Sequence, residues 1–92
     1  MLDFIQAYEN YLSKVKQASV NTVASYMRDV RQFSDWLDAS VELDVASAKQ
    51  AHISDYLDHL HSDGRSGATL SRTLASLKNF YMYLVTEHFI SK

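Results

Sequence analysis

A chain of 92 residues, 47% of them hydrophobic, has room for one hydrophobic core and one domain spanning residues 1–92. With no cysteine it can form neither a disulfide nor a thiolate metal site, and no apolar run approaches the length of a bilayer span. The net charge of −2 argues against a simple polyanion binder, but it is unevenly spread: Met1–Asp63 holds ten acids and five bases, Gly64–Lys92 four bases and one acid.

The start, Met1-Leu2-Asp3, lacks the basic and apolar regions of a secretory signal, so a cytoplasmic protein is expected. There is no proline, and both glycines, Gly64 and Gly67, fall in one short turn, so long helices are allowed elsewhere. The first helix is predicted from about Leu2 to Val15, where Phe4, Ile5, Tyr8, Tyr11, Leu12 and Val15 follow helical spacing. Asp3 with Gln6 suits its N-terminal cap. The polar run Lys16–Ser19 ends it.

A second helix is predicted from about Val20 to Ala39, with Ser19 or Asn21 as cap. Its apolar stripe is Val23, Tyr26, Met27, Val30, Phe33 and Leu37. Asp38–Ala46 reads as an acidic loop with apolar anchors. A third helix follows from about Ala48 to Ser62, started by a Ser47–Gln50 capping box and stopped at Gly64, with Ile53, Tyr56, Leu57 and Leu60 inward. After the turn Arg65–Gly67, a fourth helix runs to about Leu84 with Leu70, Leu74, Leu77, Tyr81 and Leu84 as its apolar face. Phe89 and Ile90 are expected to dock its end.

Two polar stripes carry most of the functional information. Asn21, Ser25, Arg28 and Gln32 recur at i, i+4, i+7 and i+11 on the second helix; Arg72, Ser76, Asn79 and Tyr83 repeat that spacing on the fourth. Both are rich in hydrogen-bond donors and free of carboxylates. Either one alone resembles an ordinary solvated helix face. Two matching stripes in an acidic chain point instead to an anionic partner.

Other chemistry finds little support. His52, Asp55 and His59 share one side of the third helix, but His61 points elsewhere and no third strong ligand joins them, so neither metal nor cofactor is expected. No Gly-x-Ser-x-Gly elbow or glycine-rich phosphate loop occurs. Tyr8, Tyr11, Tyr26, Tyr56 and Tyr81 fall on apolar faces, with Tyr83 the exception, and Trp36 suits the bundle edge.

Ser19-Val20-Asn21-Thr22, Tyr26, Asp29-Val30, Phe33 and Trp36-Leu37 resemble the second helix of the N-terminal core-binding domain of tyrosine recombinases, the phage integrases and Xer-type resolvases. Ser66, Thr69, Arg72, Leu74, Leu77-Lys78, Phe80-Tyr81 and Leu84 resemble the fourth helix of the same domain. The resemblance implies an all-α, compact four-helix SAM-like bundle. It also implies that the second and fourth helices lie toward the major groove of a recombination half-site. The partners it implies are double-stranded DNA, other recombinase protomers and a C-terminal catalytic domain of the same parent chain. That domain would hold the arginines, histidine and nucleophilic tyrosine, so no catalytic residue is expected within these residues. Helical wheels and resemblance together nominate Arg28 and Arg72 as the main charged DNA contacts. Asn21, Ser25, Thr69, Ser76 and Asn79 are nominated as phosphate or base partners, and Arg65 and Lys78 as flanking phosphate contacts. The rival reading is a small helical protein–protein interaction module that binds no nucleic acid.

Overall fold

Helix starts in this chain are set by single side-chain acceptors. In the computed structural model, which describes residues 3–91, the Asp3 carboxylate accepts from the N–H groups of Ile5 and Gln6, both at 3.1 Å, and opens α1 (Phe4–Asn10). The expected start at Leu2 lies outside the described residues. Ser19 Oγ accepts from Thr22 N–H at 3.2 Å to open α2 (Val20–Val41), and Ser66 Oγ accepts from Thr69 N–H at 3.2 Å to open α4 (Gly67–Thr86). These caps supply partners for N–H groups that no helical carbonyl can reach.

Helix α3 (Gln50–Ser62) starts differently from expectation. Ser47 lies in a turn two residues before the N-cap, Lys49, and its N–H, which the Gln50 side chain of a capping box would take, donates to Asp44 Oδ1 at 3.0 Å. Instead His52 Nδ1 reaches back to accept from Lys49 N–H at 2.8 Å. The helix ends at Gly64 as the sequence suggests. With φ +87°, Gly64 allows its own N–H to reach His61 O at 3.0 Å and Arg65 N–H to reach Leu60 O at 3.1 Å, the paired bonds of a Schellman stop.

The first helix does not stay α-helical to Val15. From Tyr11 to Val15 it widens into a π-helical segment, with Lys16 N–H donating to Tyr11 O at 3.0 Å. A wider turn rotates less per residue, so Val15 does not come round to the face of Tyr8 and Leu12. It is 70% exposed rather than part of the core.

The described residues form a four-helix, all-α, SAM-like bundle without strands. Its core joins Tyr8 and Leu12 to Val23, Met27, Val30, Phe33 and Leu37 of α2, Tyr56 and Leu60 of α3, and Leu77, Phe80 and Leu84 of α4. Aromatic rings fill much of it. Tyr8 meets Phe80 edge-on at 5.2 Å, Phe33 meets Tyr56 at 5.1 Å, and Trp36 closes the edge over Tyr56 at 5.2 Å. Val45 anchors the α2–α3 loop from within, and its carbonyl accepts from Tyr81 Oη at 2.7 Å. Phe89 folds back against Phe4 at 5.2 Å and Tyr83 at 6.0 Å, so the end of α4 is docked as expected. Among the described residues no helix is long and apolar enough to cross a membrane.

The fourth helix is turned about its axis relative to the sequence reading. Its buried residues are Thr73, Ser76, Leu77, Phe80, Tyr83 and Leu84, whereas Leu74 is only half-buried. Tyr83, expected to lie off the core, packs against Tyr11 at 4.7 Å and Tyr8 at 5.3 Å. The rotation brings small and polar side chains against α2, where a buried carboxylate awaits them.

Candidate nucleic-acid interface

α2 and α4 form the most extensive helix contact of the bundle, and they run antiparallel. Thr22 and Tyr26 of α2 share a cavity wall with Asn79, Met82 and Tyr83 of α4; further along, Asp29 of α2 meets Arg72 and Ser76. The two polar stripes therefore flank one seam.

At the seam lies a residue whose role the sequence reading missed. Asp29 is 1% exposed. Its Oδ2 accepts from Ser76 Oγ at 2.7 Å and from Arg72 Nε at 3.2 Å, while its Oδ1 accepts from Arg72 Nη2 at 3.0 Å. A buried carboxylate is tolerated only when paired and hydrogen-bonded, and these three bonds meet that need. In turn the carboxylate raises the Arg72 pKa above the usual arginine value, through the hydrogen bond first and the charge second. A signal for this clasp was present. Asp29 stands three residues after Tyr26 and four before Phe33, within the apolar stripe, and Arg72 and Ser76 are one helical turn apart.

This geometry changes the standing of Ser76. Its side chain has no exposed surface and its hydroxyl is committed to Asp29, so it cannot reach a phosphate or a base edge as expected. Arg72 differs, because its side chain is 44% exposed. Two of its five N–H donors are bound by Asp29, and the remaining donors lie on Nη1 and the far side of Nη2.

The remaining nominated residues lie at or near the surface. Asn21 and Arg28 are exposed and Ser25 is half-buried on α2. Among the described residues Arg28 and Lys78 have no carboxylate within ion-pair distance, while Arg31 bridges to Glu9 at 3.3 Å. Lys78 and Asn79 are exposed on α4, and the Asn79 amide donates back to Ala75 O at 3.5 Å. Thr69 is half-buried and its hydroxyl accepts from Ser66 Oγ at 3.2 Å, so it serves the helix cap. Arg65 sits in the α3–α4 turn at 4.0 Å from Asp63, an exposed pair that water screens.

The electrostatic pattern follows from the same placement. Asp29 is the one acid in Val20–Ser34 of α2, and α4 has none. Asp29 is buried and paired with Arg72, so along Val20–Ser34 and α4 the seam presents cations and amides, and an exposed carboxylate, Glu87, enters its wall just beyond the end of α4. Seven acids and one base, Lys49, lie between Asp35 and Asp63, on the end of α2, the following loop, α3 and its C-terminal cap.

Comparison with known proteins agrees with this architecture. Residues 5–88 match the family described as phage integrase, N-terminal SAM-like domain. A protein named as a tyrosine recombinase in Caldanaerobacter subterraneus subsp. tengcongensis is 43% identical over 77 residues, covering 84% of this chain and 26% of the relative. Tyrosine recombinase XerC of Halalkalibacterium halodurans is 30% identical over 87 residues, covering 95% of this chain and 29% of the relative. Tyrosine recombinase XerD of Staphylococcus saprophyticus is 25% identical over 88 residues, covering 96% and 30%. The chain thus spans between 26% and 30% of the length of these relatives. No solved structure matches it significantly.

Proposed function

Because the chain belongs to the family of phage integrase N-terminal SAM-like domains, we propose that it is the DNA-binding module of a site-specific tyrosine recombinase. It grips one face of a recombination half-site through α2 and α4. Strand cleavage belongs to a separate C-terminal catalytic domain of the parent protein, and other protomers on the same DNA are its further partners. Phosphates supply most of the affinity, because counterion release is strong and independent of sequence.

The observation that carries this reading is the seam itself. Two helices pack side by side with Asn21, Ser25 and Arg28 of α2 and Arg72 and Asn79 of α4 at or near the surface, and the acid between them is buried under an arginine. Arg28, Arg65 and Lys78 are the cations for phosphate, and Arg72 is the charged contact at the seam. Asn21, Ser25 and Asn79 offer hydrogen bonds beside them, and Thr69 does so from the cap. Ser76 acts from within, by holding the seam together.

The test is fluorescence anisotropy of a labelled duplex titrated with the chain across a range of salt. Three phosphate cations predict a log–log slope of about −3. A slope indistinguishable from zero, or no binding at low salt, would turn the reading toward a protein–protein interaction module.

A further inference from the structure

We propose that Asp29 is a positioning residue that sets the sequence preference of this surface by fixing which edge of Arg72 faces DNA. The inference rests on the DNA-binding reading and goes beyond it, because it assigns base discrimination to a residue that DNA cannot touch. Asp29 is 1% exposed and can make no contact with DNA itself. Its carboxylate takes the edge of the guanidinium formed by Nε and Nη2. What remains outward is the end-on edge, Nη1 with the second hydrogen of Nη2. Those two parallel donors match the adjacent O6 and N7 acceptors of guanine.

An arginine on a free side chain samples many orientations, and a phosphate accepts most of them. A guanine edge accepts only a planar, bidentate approach. Holding the guanidinium by two hydrogen bonds before DNA arrives removes that search, so the bound geometry exists in the free protein. Ser76 Oγ completes the arrangement by donating to the same carboxylate at 2.7 Å, which orients the carboxylate in turn. Arg28 has no comparable brace among the described residues and suits phosphate, where direction matters less.

The brace predicts effects of opposite sign on two kinds of binding. Asp29→Asn removes a negative charge at the seam. Affinity for unselected duplex should therefore stay level or rise, while the preference for a guanine at one position should fall by about tenfold, the order expected for a lost bidentate contact. A merely structural role would lower both together. Arg72→Lys keeps the charge but not the fork, so it should lose the same guanine preference while retaining unselected affinity.

The experiment is enrichment of a randomised duplex pool on the chain at low salt, sequenced before and after, alongside anisotropy on an unselected duplex. Wild-type protein should enrich a motif with one guanine position that both Asp29→Asn and Arg72→Lys flatten, leaving other positions intact. Circular dichroism checks that each variant is folded. If Asp29→Asn does not fold, Asp29→Glu is measured instead: it keeps the charge but moves the guanidinium, and should flatten or shift the same position. Retention of the guanine preference in the folded Asp29 variant or in Arg72→Lys overturns the brace. A wild-type pool that binds without any preferred position also overturns it and leaves the DNA-binding reading standing. Failure of wild type to bind any duplex overturns the DNA-binding reading and the brace with it.

Discussion

Truncating Arg72 to alanine should destabilise the domain even though the residue lies at the surface. Two of the three hydrogen bonds to the buried Asp29 carboxylate come from Arg72. Their loss leaves a charge, 1% exposed, with Ser76 Oγ as its remaining donor. Breaking a buried ion pair from one side costs about 3–5 kcal/mol, mostly because the other charge is stranded. Here the Arg72 side chain is 44% exposed, so water enters where it stood and recovers part of that loss. A destabilisation of about 2–3 kcal/mol results, which lowers Tm by on the order of 10–20 °C in a domain of this size. Adding Asp29→Asn removes the stranded charge. The double variant should therefore be more stable than the sum of the single effects by about 1 kcal/mol or more. Urea denaturation followed by far-UV circular dichroism at neutral pH measures all four proteins. An Arg72→Ala change within about 0.5 kcal/mol of wild type, or strict additivity, would refute the clasp as a stabilising feature. The result also bears on DNA binding, because any loss in Arg72→Ala has to be measured on folded protein.

Leu77→Ala should destabilise by about 2–5 kcal/mol as a truncation of a fully buried leucine, and Leu74→Ala by clearly less because Leu74 is half-buried; equal losses in urea melts would mean that α4 is rotated differently. Gly64→Ala forces a side chain into a φ of +87°, and should cost about 1 kcal/mol with no new clash, since nothing lies within 4 Å of the added carbon. A Tm equal to wild type would show that the α3 stop does not need glycine. Burial raises the Tyr8 and Tyr81 pKa values above the ordinary 10.0. The folded state therefore keeps protons that the unfolded chain releases, and the associated stability is fully present below about pH 10 and lost above it, by up to about 1.4 kcal/mol per pH unit for each tyrosine. Urea midpoints that stay level from pH 9 into this alkaline range would contradict their burial.

Local features of the chain were legible without a structure because they depend on neighbours in sequence. Asp3 and Ser19 cap two helices where the sequence places them, and Ser66 does the same for α4, since a short acceptor needs only the N–H groups two or three residues ahead. Gly64 stops α3 for an equally local reason, its tolerance of positive φ. The apolar stripe of α2 was legible because it is continuous and nearly all aliphatic or aromatic. The α3 start was not, because Asp44 and His52 compete for the backbone groups that a Ser47 cap would have used.

What tertiary structure alone decided is concentrated at the α2–α4 seam. Serine, threonine and tyrosine sit equally well in water or against a partner, so hydrophobic periodicity cannot say which way Thr73, Ser76 and Tyr83 face. Their direction is set by Asp29, forty-three residues before Arg72 in the chain, because a buried carboxylate must find donors and α4 supplies them. That requirement turns α4 about its axis, buries Ser76, draws Tyr83 into the core and leaves Leu74 half out. Sequence alone thus determined the helices and those starts and stops that rest on near neighbours, and its pattern resembled the family to which the chain belongs. Which residues of the polar stripe remain at the surface is a property of two helices packed together, since only packing fixes where each donor is spent.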